Sequence, residues 1–247
     1  MSQPVSMPWT APVFPPPPHS WKGVRSVVMP FTPEPDRLAA VLPPAFEPGS
    51  GPGLVTMLSY GWGDVTRIHP FNEAVVLVPV VCDGQPGNYV PFIYVTTDEA
   101  LIPGREAAGW PKKLADISWE REGDHFTGTV TRWGETIITV EGDIGVEAAD
   151  SSQMAALMEA AGKPTFNYKL IPGPGDEIEI EEVTSTSLEI VPQTVEVGAA
   201  KVIAHSSEDD PVASILPSVE GPLVVMVSDN TIPCGTVVRR IEGRVGA

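Results

Sequence analysis

The chain has 247 residues, of which 42% are apolar, and its formal net charge is −17 from 15 basic and 32 acidic side chains. This length suits one large domain with a sizeable core. Because so acidic a surface repels nucleic acid and anionic membranes, we expect neither as a partner. No segment has the pattern of a signal peptide or is apolar for long enough to span a bilayer, which predicts a cytoplasmic protein.

The first 20 residues are rich in proline and end with four consecutive prolines before His19. Such a segment favours an extended arm over a folded unit. We expect the arm to lie along the body of the protein or along a neighbouring subunit. Since no linker divides the remainder, the sequence predicts one domain over residues 1–247, with residues 1–20 as a Pro-rich N-terminal arm.

Strand signals follow the arm as short runs rich in valine, isoleucine and tyrosine, bounded by glycine, proline or aspartate. In the first half of the chain they cover residues 24–31, 54–62, 74–82 and 89–97. Two short helices interrupt these strands. One covers residues 35–42 and is stopped by two prolines, and the other runs from Asp98, its predicted N-cap, toward Gly109 with Pro103 in its middle.

The second half of the chain continues the same pattern. Strands are predicted over residues 116–120, 126–133, 136–143, 166–171, 177–181, 188–197, 200–204, 223–228 and 236–241, with one helix over residues 151–161. The helices are too few to connect parallel strands, so the strands should pair mainly antiparallel. The sequence therefore predicts a mainly β (α+β) fold, closed or nearly closed into a barrel whose interior could hold a small ligand.

Two adjacent lysines, Lys112 and Lys113, follow an aromatic residue and a proline, Trp110 and Pro111. A lysine amine attacks a carbonyl carbon only when it is neutral, and a neighbouring cation and an apolar pocket both favour that form. The pair therefore indicates a candidate Schiff-base lysine. The alternative is two surface lysines after a turn, since lysine is almost never fully buried.

The residues around the lysines resemble the active-site segment of the acetoacetate decarboxylase-like superfamily. The segment begins with Gly104, Arg105 and Glu106 and ends at Leu114. Further segments that match are 36–43, 72–80 and 167–172, so the resemblance extends from about residue 24 to residue 240. It implies a cone-shaped antiparallel β-barrel of the acetoacetate decarboxylase type that assembles into a tetramer or larger homo-oligomer.

The same resemblance implies the roles of individual residues. Lys112 would form the imine, Lys113 would keep it neutral, and Glu73 would act as the catalytic acid or base. Arg105 and Glu106 would position the lysine segment. The substrate would be a small oxo acid of the pyruvate or acetoacetate type, with an aldehyde as a second substrate. We expect no organic cofactor, and the four histidines lack metal-ligand spacing.

Two departures from the family pattern affect the predicted reaction. Leu58 stands where the family's decarboxylases carry a second glutamate. The family's substrate-binding arginine lies near Arg25, one residue out of register, and a surface charge at a strand edge is an equal interpretation of Arg25. The loss of an acid favours a pyruvate aldolase-dehydratase or hydratase. Acetoacetate decarboxylase and a non-catalytic barrel that binds small carboxylates are the alternatives.

Overall fold

One large sheet forms the body of the protein in the computed structural model, which describes residues 5–64, 68–145, 157 and 159–241. Its described strands are numbered β1 to β14 in chain order. They are His19–Phe31, Glu47–Pro48, Gly53–Tyr60, Phe71–Cys82, Gln85–Val95, Lys112–Leu114, Asp116–Glu122, His125–Arg132, Glu135–Ile144, Thr165–Pro172, Ile178–Thr186, Glu189–Ala204, Val219–Ile232 and Thr236–Arg240. Every predicted strand falls on one of them, and the mainly β class is confirmed.

The strand order is β14, β11, β10, β5, β4, β3, β1, β13, β12, β9, β8, β7, with β2 beside β4 and β6 beside β5. Most neighbours are antiparallel, but β5 pairs in parallel with both β10 and β6. Among the described residues no ladder joins β14 to β7. The predicted fold, a closed or nearly closed antiparallel barrel, is thus a mixed sheet that does not close within the described residues. The parallel β5–β6 pairing arises because a helical crossover separates these two strands.

That crossover is α2, Asp98–Pro103, which continues as a π-helical turn, Gly104–Ala108. Its N-cap is Thr97, one residue before the predicted cap. A second helix, α1, covers Pro35–Val41, and a 3₁₀ turn covers Val212–Ser214. Most of the helix predicted over residues 151–161 lies outside the described residues. No helix in the described part of the chain is long and apolar enough to cross a membrane.

The two faces of the sheet bury different side chains, because successive residues of a strand point to opposite sides. One face carries the main hydrophobic core, which includes Met29 of β1 and Met57 of β3. The opposite face carries a row of three neighbours from β1, β3 and β4, since Ser26 pairs with Leu58 and Leu58 pairs with Glu73. This row places a carboxylate beside apolar side chains.

The proline-rich arm contacts the body of its own chain. Phe14 is buried with 4% of its surface exposed, and both Phe14 and Pro17 line the cavity that contains Lys112. The first strand begins at His19, so the last two residues of the predicted arm belong to the sheet. The arm therefore forms part of the wall around the candidate site.

Candidate active site

Lys112 opens the short strand β6, where it lies opposite Ile93 of β5. Gly109 ends the preceding turn with a left-handed φ of 81°, a conformation that glycine adopts without steric cost. The Arg105 guanidinium donates a hydrogen bond to the Lys112 carbonyl oxygen at 3.1 Å. Gly104 leaves space for the lysine stem, since a Cβ there would lie 2.5 Å from Lys112 Cδ. The turn thus fixes where Lys112 enters the sheet.

Lys112 and Glu73 form a buried ion pair. The Lys112 Nζ lies 2.7 Å from Glu73 Oε2, and the two residues are 4% and 8% exposed. The same Nζ lies 4.9 Å from the ring centroid of Trp110. The contact therefore brings an amine and a carboxylate together in a buried place.

The pair lies in a cavity of about 210 Å³ whose wall includes the aromatic side chains of Phe14, His19, Trp21, Tyr60, Phe71 and Trp110. Burial and the positive charge of Lys112 lower the pKa of His19, which lines the same cavity. Burial and the negative charge of Glu73 raise the pKa of Tyr60 well above its usual range. Both side chains are therefore neutral at neutral pH. Among the described residues, no cluster of His, Cys, Asp and Glu is arranged to hold a metal ion.

Three buried ring nitrogens around this cavity have no hydrogen-bond partner among the described residues. They are His19 Nδ1, Trp21 Nε1 and Trp110 Nε1. An indole N–H can only donate, and a buried donor without an acceptor costs about 1–3 kcal/mol. A bound molecule with carboxylate or carbonyl oxygens would remove that cost if it came within hydrogen-bonding distance.

Lys113 does not share the cavity with Lys112. Lys112 points to one face of β6, and Lys113 points to the opposite face. The Lys113 Nζ lies 2.9 Å from Asp210 Oδ1 and 2.5 Å from the Asp209 carbonyl oxygen. The Lys113 ammonium therefore lies on the opposite face of β6 from Lys112, and the role of Lys113 in keeping Lys112 neutral stays a prediction.

Asp210 is the centre of a separate buried cluster. Its carboxylate also accepts hydrogen bonds from Arg132 Nε at 3.1 Å and from Tyr94 Oη at 3.0 Å, and the residue is 0% exposed. Burial alone would raise the pKa of Asp210, but the hydrogen bonds from Lys113, Arg132 and Tyr94 hold that pKa below its usual range. The positive charge of Lys113 is therefore paired with the ionised carboxylate of Asp210.

Arg25 also lies away from the Lys112 cavity. Its guanidinium is 4.7 Å from the Trp119 ring centroid and donates to Ser59 Oγ at 3.1 Å. The next residue, Ser26, points to the face of the sheet that carries Leu58 and Glu73, so Arg25 points to the opposite face. The structure brings Lys112 and Glu73 together but not Arg25, and it leaves Glu106 exposed on its turn.

Leu58 occupies the position next to Glu73. The two residues are paired in register on β3 and β4, and Leu58 is 6% exposed. An acid at this position would therefore lie beside Glu73 on the same face of the sheet. Leucine instead presents an apolar side chain to the carboxylate.

Sequence reasoning did not identify His19, Trp21 or Asp210 as members of these clusters. His19 and Trp21 come after the proline run without any motif around them, and Asp210 is far from the lysines along the chain. Trp110, in contrast, could be named from the sequence because it belongs to the lysine segment itself.

The chain matches the family model described as acetoacetate decarboxylase (ADC) over residues 2–240. The acetoacetate decarboxylase of Ralstonia nicotianae is 28% identical to it over 240 residues, which cover 94% of this chain and 93% of that protein. The match therefore extends well beyond the lysine segment.

Two solved structures share the fold. The crystal structure of acetoacetate decarboxylase from Legionella pneumophila has a TM-score of 0.83 at 21% identity, covering 97% of this chain and 94% of that one. The enduracididine biosynthesis enzyme MppR, complexed with the condensation product of pyruvate and imidazole 4-carboxaldehyde, has a TM-score of 0.79 at 16% identity, covering 96% and 97%. Because the family model spans nearly the whole sequence, the chain belongs to the acetoacetate decarboxylase family.

Proposed function

We propose that this chain is a lyase that forms a Schiff base between Lys112 and a small oxo acid. The observation that carries this proposal is the buried contact of 2.7 Å between Lys112 Nζ and Glu73 Oε2. Glu73 takes a proton from the ammonium group, and the neutral amine attacks the keto carbon. The carbonyl oxygen then accepts protons and leaves as water, which gives a protonated imine.

The imine is an electron sink, and the position of the substrate carboxylate decides which bond breaks next. In a 2-oxo acid such as pyruvate, the carboxylate is bonded to the imine carbon, so its loss would give no enamine. Glu73 has by then passed its first proton to the departing water, so it accepts a proton from the methyl group instead. The resulting enamine attacks an aldehyde carbon, whose oxygen takes up a proton. The former methyl carbon then loses a second proton as the hydroxyl leaves as water, which forms a carbon–carbon double bond. Hydrolysis of the imine releases an unsaturated 2-oxo acid.

Leu58 favours this aldolase-dehydratase reaction, or a related hydratase reaction, over decarboxylation. A second acid beside Glu73 would crowd a substrate carboxylate and promote its loss, but leucine stands at that position. The structural neighbour MppR, which binds a condensation product of pyruvate and an aldehyde, has the same fold. The shared fold therefore supports a reaction of pyruvate as one that this architecture can accommodate.

Decarboxylation of acetoacetate is the second candidate. A relative with 28% identity over most of both chains is an acetoacetate decarboxylase. With a 3-oxo acid, the bond between the carboxylate carbon and its neighbour breaks, and its electrons flow into the imine to form an enamine. Carbon dioxide leaves, the enamine is protonated on carbon, and hydrolysis releases acetone.

Two assays separate the candidates. The first supplies pyruvate and benzaldehyde and monitors new ultraviolet absorbance from a conjugated product. The second supplies acetoacetate and measures carbon dioxide. We expect absorbance that disappears in Lys112→Ala, with little carbon dioxide. Rapid release of carbon dioxide from acetoacetate without any condensation product would instead establish the second candidate.

The proposed enzyme is a homo-oligomer, a tetramer or larger, on the strength of its family. Sedimentation velocity at micromolar concentration should show a species that is a multiple of the 26.3 kDa chain. A monomer under these conditions would contradict this part of the proposal.

A further inference from the structure

A second cavity, of about 140 Å³, lies against the first. The two cavities have Tyr60, Glu73, Trp110 and Ile232 as common walls. Glu73 therefore faces Lys112 on one side and the second cavity on the other. The residue that contacts the Lys112 amine is therefore also part of the wall of this second space.

The second cavity is mainly aliphatic. Its wall on the sheet is formed by side chains of β1, β3, β4 and β5, namely Val28, Leu54, Leu58, Val75, Leu77 and Ile93. Ser26 Oγ, in the same wall, is buried without a hydrogen-bond partner among the described residues. Lys163 is at the end formed by residues 161–165, where its Nζ lies 3.8 Å from Glu159. No other cation lines this cavity in the described part of the chain.

We infer that this cavity binds an apolar substituent of the oxo-acid substrate, a conclusion that rests on the proposed imine chemistry at Lys112. The substrate class is a 2-oxo acid with an aliphatic chain or a phenyl group, not pyruvate alone. The size agrees with this class, since a dry cavity of about 150 Å³ lined by aliphatic side chains accommodates benzene. The aliphatic wall would bury such a group without burying an unpaired charge.

Leu58 connects this subsite to the departure from the family pattern. An acid at this position would lie in register beside Glu73 and project from an apolar wall. A buried carboxylate without partners is costly and would repel an apolar group. Leucine at this position therefore has two effects. It removes an acid from the site of reaction, and it completes the apolar wall that would bind the substrate chain.

The test is borohydride trapping with a homologous series of 2-oxo acids. Pyruvate, 2-oxobutanoate, 2-oxopentanoate and 2-oxohexanoate are each titrated, and the adduct on the Lys112 peptide is measured by mass spectrometry. The concentration for half-maximal trapping should fall about fourfold for each added methylene, which corresponds to about 0.8 kcal/mol. Between pyruvate and 2-oxopentanoate, the expected difference is about fifteenfold.

The acid 2-oxoglutarate is the polar control, because it has the carbon chain of 2-oxopentanoate with a carboxylate at its end. It should be trapped less readily than 2-oxopentanoate. Equal or stronger trapping of 2-oxoglutarate would mean that Lys163 anchors a second carboxylate, which would overturn the inference that the occupant is apolar.

Two variants change the size of the cavity in opposite directions. Val75→Phe should fill it and reduce the preference for 2-oxohexanoate over pyruvate at least tenfold, whereas Leu58→Ala should enlarge it and shift the preference toward phenylpyruvate. The readout is the ratio of the half-maximal trapping concentrations of two substrates in the same variant. A general loss of activity affects both concentrations and therefore cancels. Val237→Phe, at an exposed valine of β14, is the matched control and should leave the ratio unchanged.

The outcomes separate this inference from the proposed function. If no oxo acid is trapped on Lys112, the proposed function fails and the inference fails with it. If all chain lengths are trapped at the same concentration, the imine chemistry stands and the apolar subsite is refuted. A ratio that stays constant in both Val75→Phe and Leu58→Ala would also refute the subsite.

Discussion

At the scale of single residues, the proposed chemistry depends on the contact between Lys112 and Glu73. The two residues are almost fully buried, and Glu73 Oε2 is the acceptor at hydrogen-bonding distance from the amine, 2.7 Å away. The same carboxylate could later accept a proton from the substrate carbon. Glu73 is therefore assigned to proton transfer and Lys112 to bond formation with the substrate.

Glu73→Gln tests this division of roles. Glutamine has nearly the same shape but cannot take up the proton, so turnover should fall by about 10²–10⁴-fold. Imine formation with pyruvate, measured as the yield of borohydride adduct after long incubation, should fall much less. Equal losses in turnover and adduct yield would mean that Glu73 only holds the lysine in place.

Lys113→Met tests the role of the second lysine. Because Lys113 donates to buried Asp210, its loss should lower the free energy of unfolding by about 1–3 kcal/mol, measured by urea denaturation. The pH dependence of trapping on Lys112 should stay the same. Lys22→Met is the control, since Lys22 is 70% exposed and its ion pair with Asp64 contributes little.

The opposite outcome would support the role that the family resemblance implies for Lys113. An upward shift of the pH profile for trapping, with unchanged stability, would show that the Lys113 charge acts on Lys112 from outside the cavity. The adjacency of the two lysines in sequence could not decide this point, because it did not reveal that they form a strand.

At the scale of elements, β6 and the turn before it determine where the lysine lies. Gly104→Ala should displace Lys112, since the new Cβ would lie 2.5 Å from Lys112 Cδ. A displacement of about 1 Å can cost 10²-fold in rate, so we expect trapping on Lys112 to slow by about that factor. Gly61→Ala is the matched control, because a Cβ there meets nothing within 4 Å. Unchanged trapping in Gly104→Ala would show that the lysine stem adjusts.

The longer strands could be predicted from sequence, and β6 could not. Runs such as residues 74–82 are rich in valine and end at clear turn residues, which is a strong local signal. The three residues of β6 are too few to show any alternation, and their strand forms only because β5 lies beside them. Likewise, the contact between Leu58 and Glu73 depends on the register of β3 and β4, which no local pattern specifies.

At the scale of the whole molecule, Asp210 joins separate parts of the fold. It binds Tyr94 of β5, Lys113 of β6 and Arg132 of β8. Its pKa in the folded protein lies below the unfolded value of 3.8. The carboxylate therefore stabilises the fold fully above that value, and the contribution is lost as the pH falls through the folded pKa.

Asp210→Asn should lower the free energy of unfolding by about 3–5 kcal/mol above pH 5, because it leaves two cations without their buried partner. The wild-type protein should lose stability as the pH falls below about 4, and the variant should lose less over that interval. Denaturation at several pH values measures both effects. Asp143→Asn, at an exposed aspartate of β9, should change little. An unaltered acid dependence in Asp210→Asn would contradict this role of the buried carboxylate.

The arrangement of the sheet was the part of the fold least accessible to sequence reasoning. The parallel pairing of β5 with β10 joins segments that are far apart in the chain, and no periodicity in either segment indicates it. The hydrophobic pattern predicted the strands, and the family resemblance predicted their antiparallel pairing but not the parallel pairs of β5. The face of β6 to which Lys113 points, and the position of His19 in the cavity wall, could be seen only in the folded structure.

The most direct test of the central claim is borohydride reduction of the protein with pyruvate, and then mass spectrometry of its peptides. We predict one adduct, on the peptide that contains Lys112, which is absent in Lys112→Ala and retained in Lys201→Ala at an exposed lysine of β12. An adduct of undiminished yield in Lys112→Ala would contradict the assignment of Lys112 as the imine-forming residue.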